Sequence, residues 1–186
     1  MIGKFRNLFL KKTEEQDSDK FEIFLGLVEN FLKREYPKIK FDYTIKKEVE
    51  EEQNLKVKKT LFIEGILRQF VEFRWEKITQ ESVKKDLLWK GYGINSLPND
   101  RLPFDFFRRK ELVFLRDEGV CNRCGNKMEK IQQIHIIMVQ DIKDNGGYNV
   151  ENIILLCPSC YNVLQNQDKE ATKIPLKIAE NLYNMV

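Results

Sequence analysis

Four cysteines stand in two pairs, Cys121-x2-Cys124 and Cys157-x2-Cys160, with residues 125–156 between them. Each pair can turn two thiolates to one side, and two such knuckles close a tetrahedron of sulfur ligands around one zinc ion. Redox chemistry is a poor match, because neither pair sits in the alternating strand and helix pattern of a thioredoxin-like fold. Four cysteine ligands leave a zinc ion no open position for water, so the expected zinc is structural. The chemistry of the chain must then come from other residues.

The setting of these cysteines bears on how they are used. No apolar run approaches the roughly 18 residues needed to cross a bilayer. The start "MIGKFRNLFLKK" lacks the uncharged core and small-residue cleavage site of a secretory signal. Phe5, Leu8 and Phe9 share one side of that stretch, which reads as a terminal or docking helix rather than one lying on a membrane. An intracellular, cytoplasmic location is expected, where thiols stay reduced and bind metal in preference to forming disulfides. The 32 basic and 29 acidic residues nearly cancel to a net charge of +3. Total charge therefore marks neither a strongly cationic nucleic-acid binder nor an acidic protein, and any basic surface must arise from local arrangement.

The chain divides into two halves. Residues 1–20 include the polar "KTEEQDSDK" and read as a flexible lead-in. Phe21, Phe24, Leu25, Val28, Phe31 and Leu32 then recur at helical spacing until Pro37. "IKFDYTIKK" alternates as a strand would, and "TLFIEGILRQFVEFRWEKI" places Phe62, Ile66, Phe70 and Phe73 on one helical face. That spacing assigns the aromatics to a core rather than to a stacking platform for bases. The turn-rich "KGYGINSLPNDRLP" is the expected boundary. The expected organisation is a lead at 1–20, a mainly helical region at 21–95, a cysteine-bearing domain at 100–170 and a C-terminal helix or tail at 171–186. The helical region has no role legible in its residues beyond a surface for a protein partner.

Between the knuckles, "KMEKIQQIHIIMVQDIKDNGGYNVENIILL" reads as a strand through His135, a loop at "DNGGYN" and a short strand at "NIILL". Pro158 suits the first turn of a following helix. Taken alone, His135 is either a strand histidine satisfied by a carbonyl or a base, and Asn152 is either turn chemistry or a positioning group.

The order of "RRKELVFLRDEGVCNRCG", "HII", the Gly-Gly loop and "ENIILLCPSC" with its helix resembles the zinc-stapled HNH endonucleases of the His-Me finger, or ββα-metal, type over residues 108–165. The resemblance implies an α+β protein, a helical N-terminal region joined to a zinc-stapled ββα unit. It also implies hydrolysis of DNA phosphodiester bonds, with His135 as general base, Asn152 orienting it through the loop backbone, and a catalytic Mg2+ or Mn2+. His is the side chain whose ordinary pKa suits base catalysis near neutral pH.

Two positions depart from the family's pattern. Ile134 stands where an Asp ligand is usual and Tyr161 where a second His is usual, and neither side chain suits a hard divalent cation. Gln133, Asp141, Asp144, Asn162 and Gln165 are the candidate substitutes. Arg108, Arg109 and Lys110 open the helix before the first knuckle and are the candidate phosphate contacts. Arg101, Arg116, Arg123 and Lys127 are interleaved with acids nearby. The alternative is a catalytically degenerate HNH fold serving as a DNA-binding or protein-interaction module, with a zinc-ribbon adaptor unrelated to nucleases as a third reading.

Overall fold

The computed structural model describes residues 2–77, 102–144 and 146–186. In chain order the elements are α1 (Ile2–Glu35), α2 (Leu55–Glu72), α3 (Phe106–Arg116), β1 (His135–Met138), β2 (Ile153–Leu156), α4 (Pro158–Gln165) and α5 (Lys177–Tyr183). They sort into two compact units, Met1–Phe73 with Asp168–Val186, and Arg74–Gln167. The mixture of helices with one small antiparallel sheet is the α+β class expected from the sequence.

The first unit is built on aromatic packing. Phe21, Phe24, Val28 and Leu32 recur at three- and four-residue intervals along α1 and are all buried, as an amphipathic helix requires. α2 begins where the Asn54 side chain accepts hydrogen bonds from the Lys56 and Val57 amides, satisfying donors that the first helical turn leaves open. It buries Phe62, Ile63, Ile66, Leu67 and Phe70. Phe62 meets Phe21 and Phe24 edge-on with ring centroids 6.2 and 6.1 Å apart, and Tyr36 meets Phe70 edge-on at 5.5 Å. α5 and the 3-10 turn Ala171–Lys173 pack against α2, so the residues expected as a helix or tail contribute Ile174, Leu176, Ile178 and Leu182 to a core.

Three features of this unit differ from the sequence expectation. α1 runs through the stretch expected as a lead-in. α2 starts at Leu55 rather than Thr60 and ends at Glu72, leaving Phe73 as its C-cap. "IKFDYTIKK" forms no strand, and Tyr43–Lys47 is a 3-10 helix instead. The Asp42 carboxylate accepts from the Thr44 amide and hydroxyl, both at 2.8 Å, and winds the chain into that turn. The Gln69 side chain meanwhile takes both backbone groups of Asp42, accepting from its N–H at 2.7 Å and donating to its carbonyl at 2.8 Å. A glutamine amide has taken the bonds that a neighbouring strand would have made. Of the expected boundary, Lys90 to Pro103, all but Leu102 and Pro103 lies outside the described residues, as does Ile78.

The second unit places the candidate site. β1 and β2 pair antiparallel with His135 opposite Leu156 and Met138 opposite Ile153. β2 is buried throughout while β1 is half-buried, so the hairpin covers the core with its second strand. α3 buries Val113 and packs on β2 and on the 3-10 turn Ile131–Gln133 that precedes β1. α4 follows β2 directly, with Pro158 at its start as expected.

Phe70→Ala should destabilise the first unit by about 3–5 kcal/mol, the range for an aromatic truncation in a packed core. A lower urea midpoint of the helical circular-dichroism signal checks this.

Candidate active site and metal centre

The four cysteines converge. Their sulfurs all lie within 4.8 Å of one another, and all four residues are buried. Cys124 Sγ and Cys157 Sγ are 3.6 Å apart, close to the separation of about 3.8 Å set by sulfurs 2.3 Å from a common tetrahedral zinc. The backbone assists: the Asn126 amide points at Cys124 Sγ and the Cys160 amide at Cys157 Sγ, each at 3.5 Å. The Asn122 amide donates to the Leu155 carbonyl at 2.8 Å and ties the first knuckle to β2. Burial pushes the Cys124 and Cys160 thiols up, so several bare thiolates would not coexist here without a cation. The donor set fits a structural zinc ion.

His135 opens β1 at the end of the hairpin nearest the second knuckle. Its ring lies flat on that of Tyr161, with centroids 4.1 Å apart and planes 6° from parallel. Tyr161 follows Cys160 on α4, so the knuckle that gathers the sulfurs also sets the platform beneath the imidazole. Burial lowers the His135 pKa from its ordinary value, and the charge of Lys110 lowers it further. The imidazole is therefore neutral near pH 7.

Asn152 sits at the other end of the hairpin. Its side-chain oxygen accepts from the Gln140 amide at 2.9 Å, and its Nδ2 donates to the Gln140 and Gly147 carbonyls, both at 2.8 Å. Its own carbonyl accepts from the Val139 amide at 2.8 Å. One buried side chain thus closes the loop between the strands. Gly146 lies where that loop turns on itself, since a Cβ there would fall 1.8 Å from the Gln140 carbonyl oxygen.

The segment from Cys121 to Gln167 matches the protein-family model described as HNH endonuclease. Residues 121–167 are similar to the HNH endonucleases. The match ends at Gln167, as does the second compact unit. No curated protein and no solved structure matches the chain. The zinc-stapled ββα reading of this HNH segment agrees with both the match and the sulfur cluster.

Within the HNH segment the family's two other ligand positions are unsuited to a metal. Ile134 is 2 % exposed, with its side chain in the core. The Tyr161 ring is committed to the stack. Of the substitutes, Gln133 uses its side-chain oxygen to accept from the Lys130 amide. Asp141 and Asp144 belong to the loop that leaves the far end of β1, and both are exposed. Asn162 and Gln165 lie on α4 beyond Tyr161, and Gln165 is exposed. Among the described residues, the four cysteines are the one group of three or more His, Cys, Asp or Glu side chains close enough to share an ion. Among the described residues, the family's two ligand positions offer no carboxylate or imidazole to Mg2+ or Mn2+.

The three basic residues that open α3 do not form one patch. Arg108 is exposed and pairs with Glu111 at 3.0 Å. Arg109 is 7 % exposed, donates to the Tyr148 carbonyl at 2.7 Å and pairs with Asp105 at 3.0 Å. This corrects its expected place on a phosphate-facing surface, because its guanidinium is spent on the loop. Lys110 is half-buried, and His135 feels its charge.

Two arginines carry roles that residue-level reading missed. Arg116 holds Asp117 at 2.6 and 2.8 Å and donates to the Val150 and Ile153 carbonyls. The adjacent Arg-Asp pair is its one trace in the sequence. Arg123, 2 % exposed, directs Nη1 at Cys160 Sγ over 3.5 Å. Its place between Cys121 and Cys124 was the available signal.

Cys157→Ser should unfold the HNH segment and leave the helical signal of the first unit largely intact, because binding of a structural zinc is coupled to folding. Elemental analysis should find one zinc per chain in the parent and loss of that zinc in the variant. Ile134→Asp should cost on the order of 3 kcal/mol, since the new carboxylate is desolvated in the core without a partner. Urea unfolding of the second unit measures that loss.

Proposed function

We propose that the second unit hydrolyses phosphodiester bonds in DNA, with His135 as the general base. The observation that carries this reading is the imidazole: half-buried, flat against Tyr161 and kept neutral by burial and by Lys110. General-base catalysis needs a neutral acceptor held within hydrogen-bond reach of a water molecule. In the proposed reaction that water attacks phosphorus and gives its proton to a ring nitrogen of His135. A new P–O bond forms while the bond to the leaving sugar oxygen breaks. The leaving oxygen takes a proton from solvent, and the imidazolium later returns its own to solvent. Asn152 touches neither ring nor substrate in this scheme, and acts as a positioning residue by fixing the loop that β1 enters.

A DNA-binding or protein-interaction module on the same fold is the second reading. The core position of Ile134 and the stacked ring of Tyr161 favour it, because they remove the family's metal ligands.

Cleavage of plasmid and single-stranded DNA by the parent chain beside His135→Ala decides between them. Activity in the parent that His135→Ala reduces below detection, with DNA binding retained, supports the nuclease reading. Equal activity in both, or none in the parent, supports the module. The pH profile adds a check: with the His135 pKa lowered, the rate should fall as the imidazole gains its proton, with the midpoint of that fall on the acid side of the ordinary histidine value.

A further inference from the structure

We infer that Lys110, rather than a divalent ion, supplies the positive charge that meets the phosphate at His135, an inference that rests on the nuclease reading of this site. Phosphoryl transfer spreads charge over the phosphoryl and leaving oxygens, and some fixed positive group must stabilise it. At the family's two ligand positions the described residues offer neither a carboxylate nor an imidazole. Ile134 is in the core, Tyr161 is stacked, and no second group of metal-binding side chains occurs among the described residues.

The geometry of α3 singles out Lys110. Successive residues of a helix are turned by about 100°, so neighbouring cations face different ways. Val113, fully buried, marks the centre of the inner face. One flank carries Arg109 and Arg116, whose guanidinium groups are bonded to the Tyr148, Val150 and Ile153 carbonyls. Arg108 is on the outer side with Glu111. Lys110 lies on the opposite flank of the inner face, on the helix that packs against Ile131–Gln133, a turn separated from His135 by Ile134 alone.

The chemistry suits the task. An ammonium group on a four-carbon stem can reach a non-bridging oxygen without the fixed geometry that an octahedral ion demands. Half-burial strengthens its field relative to a solvated cation. Burial lowers the Lys110 pKa from its ordinary value, and the anionic phosphate favours the charged amine; the proton of the attacking water goes to His135.

The test uses the zinc-loaded full chain and a short DNA duplex, with Mg2+ and Mn2+ first absent and then added, and electron paramagnetic resonance of Mn2+ to detect a bound ion. Cleavage should proceed without either ion, and Mn2+ should remain unbound. Lys110→Met should slow cleavage by about 100-fold, the scale of removing one donor to transition-state charge. Lys110→Arg, which keeps the charge, should stay within about tenfold of the parent. Cleavage that requires Mg2+ or Mn2+, with Mn2+ held by the chain, overturns the inference while leaving the nuclease reading intact. That arm needs no variant, so it decides even if Lys110→Met misfolds. A parent that cuts nothing under any condition defeats the nuclease reading instead. Lys110 is then judged by affinity for the same duplex: Lys110→Met should lower the salt slope by about one, and an unchanged slope overturns its contact with phosphate.

Discussion

Four buried sulfurs within one small core set the terms for the second unit. Four thiolates around a divalent ion carry a net charge of about −2, which is costly in a protein interior unless other groups answer it. Arg123 answers part of it with a guanidinium as deeply buried as the sulfurs. Closing the cluster also decides the hairpin, because the first knuckle is bonded to β2 and the second continues from its end. Tyr161 follows the last cysteine, so the platform under His135 inherits its position from the metal ligands.

Away from the sulfurs the fold is held by side chains that bond to backbone carbonyls. Asn152 takes the carbonyls of Gln140 and Gly147, Arg109 that of Tyr148, and Arg116 those of Val150 and Ile153. A loop without regular structure leaves such groups unpaired, and buried carbonyls need partners. Long side chains from α3 and one asparagine at the foot of β2 provide them. The loop between the strands is thus fixed from two sides, and β1 enters it in a single register.

Much of this was legible in the residues. The spacing of the cysteines already placed their sulfurs together, and Pro158 and the β-branched runs located α4 and both strands. What stayed hidden depends on partners distant in sequence. The pattern at residues 39–47 suited a strand, but Asp42 and Gln69 found each other first. Arg109 looked like Arg108 because a backbone carbonyl acceptor leaves no signature in sequence. The burial of Ile134, and the approach of Lys110 to His135, are products of packing between α3, the turn before β1 and β2.

The stack of His135 on Tyr161 has a further consequence because the chain contains one histidine. The circulating electrons of a phenol ring lying parallel at 4.1 Å shield the protons above it. The imidazole C–H resonances should therefore appear upfield, in a spectrum with no other histidine to confuse them. The protonation state of the site is in this way an isolated magnetic signal, readable on the unlabelled protein. Any ligand that slides between the rings, or any loosening of the second knuckle, would announce itself as the loss of that shielding.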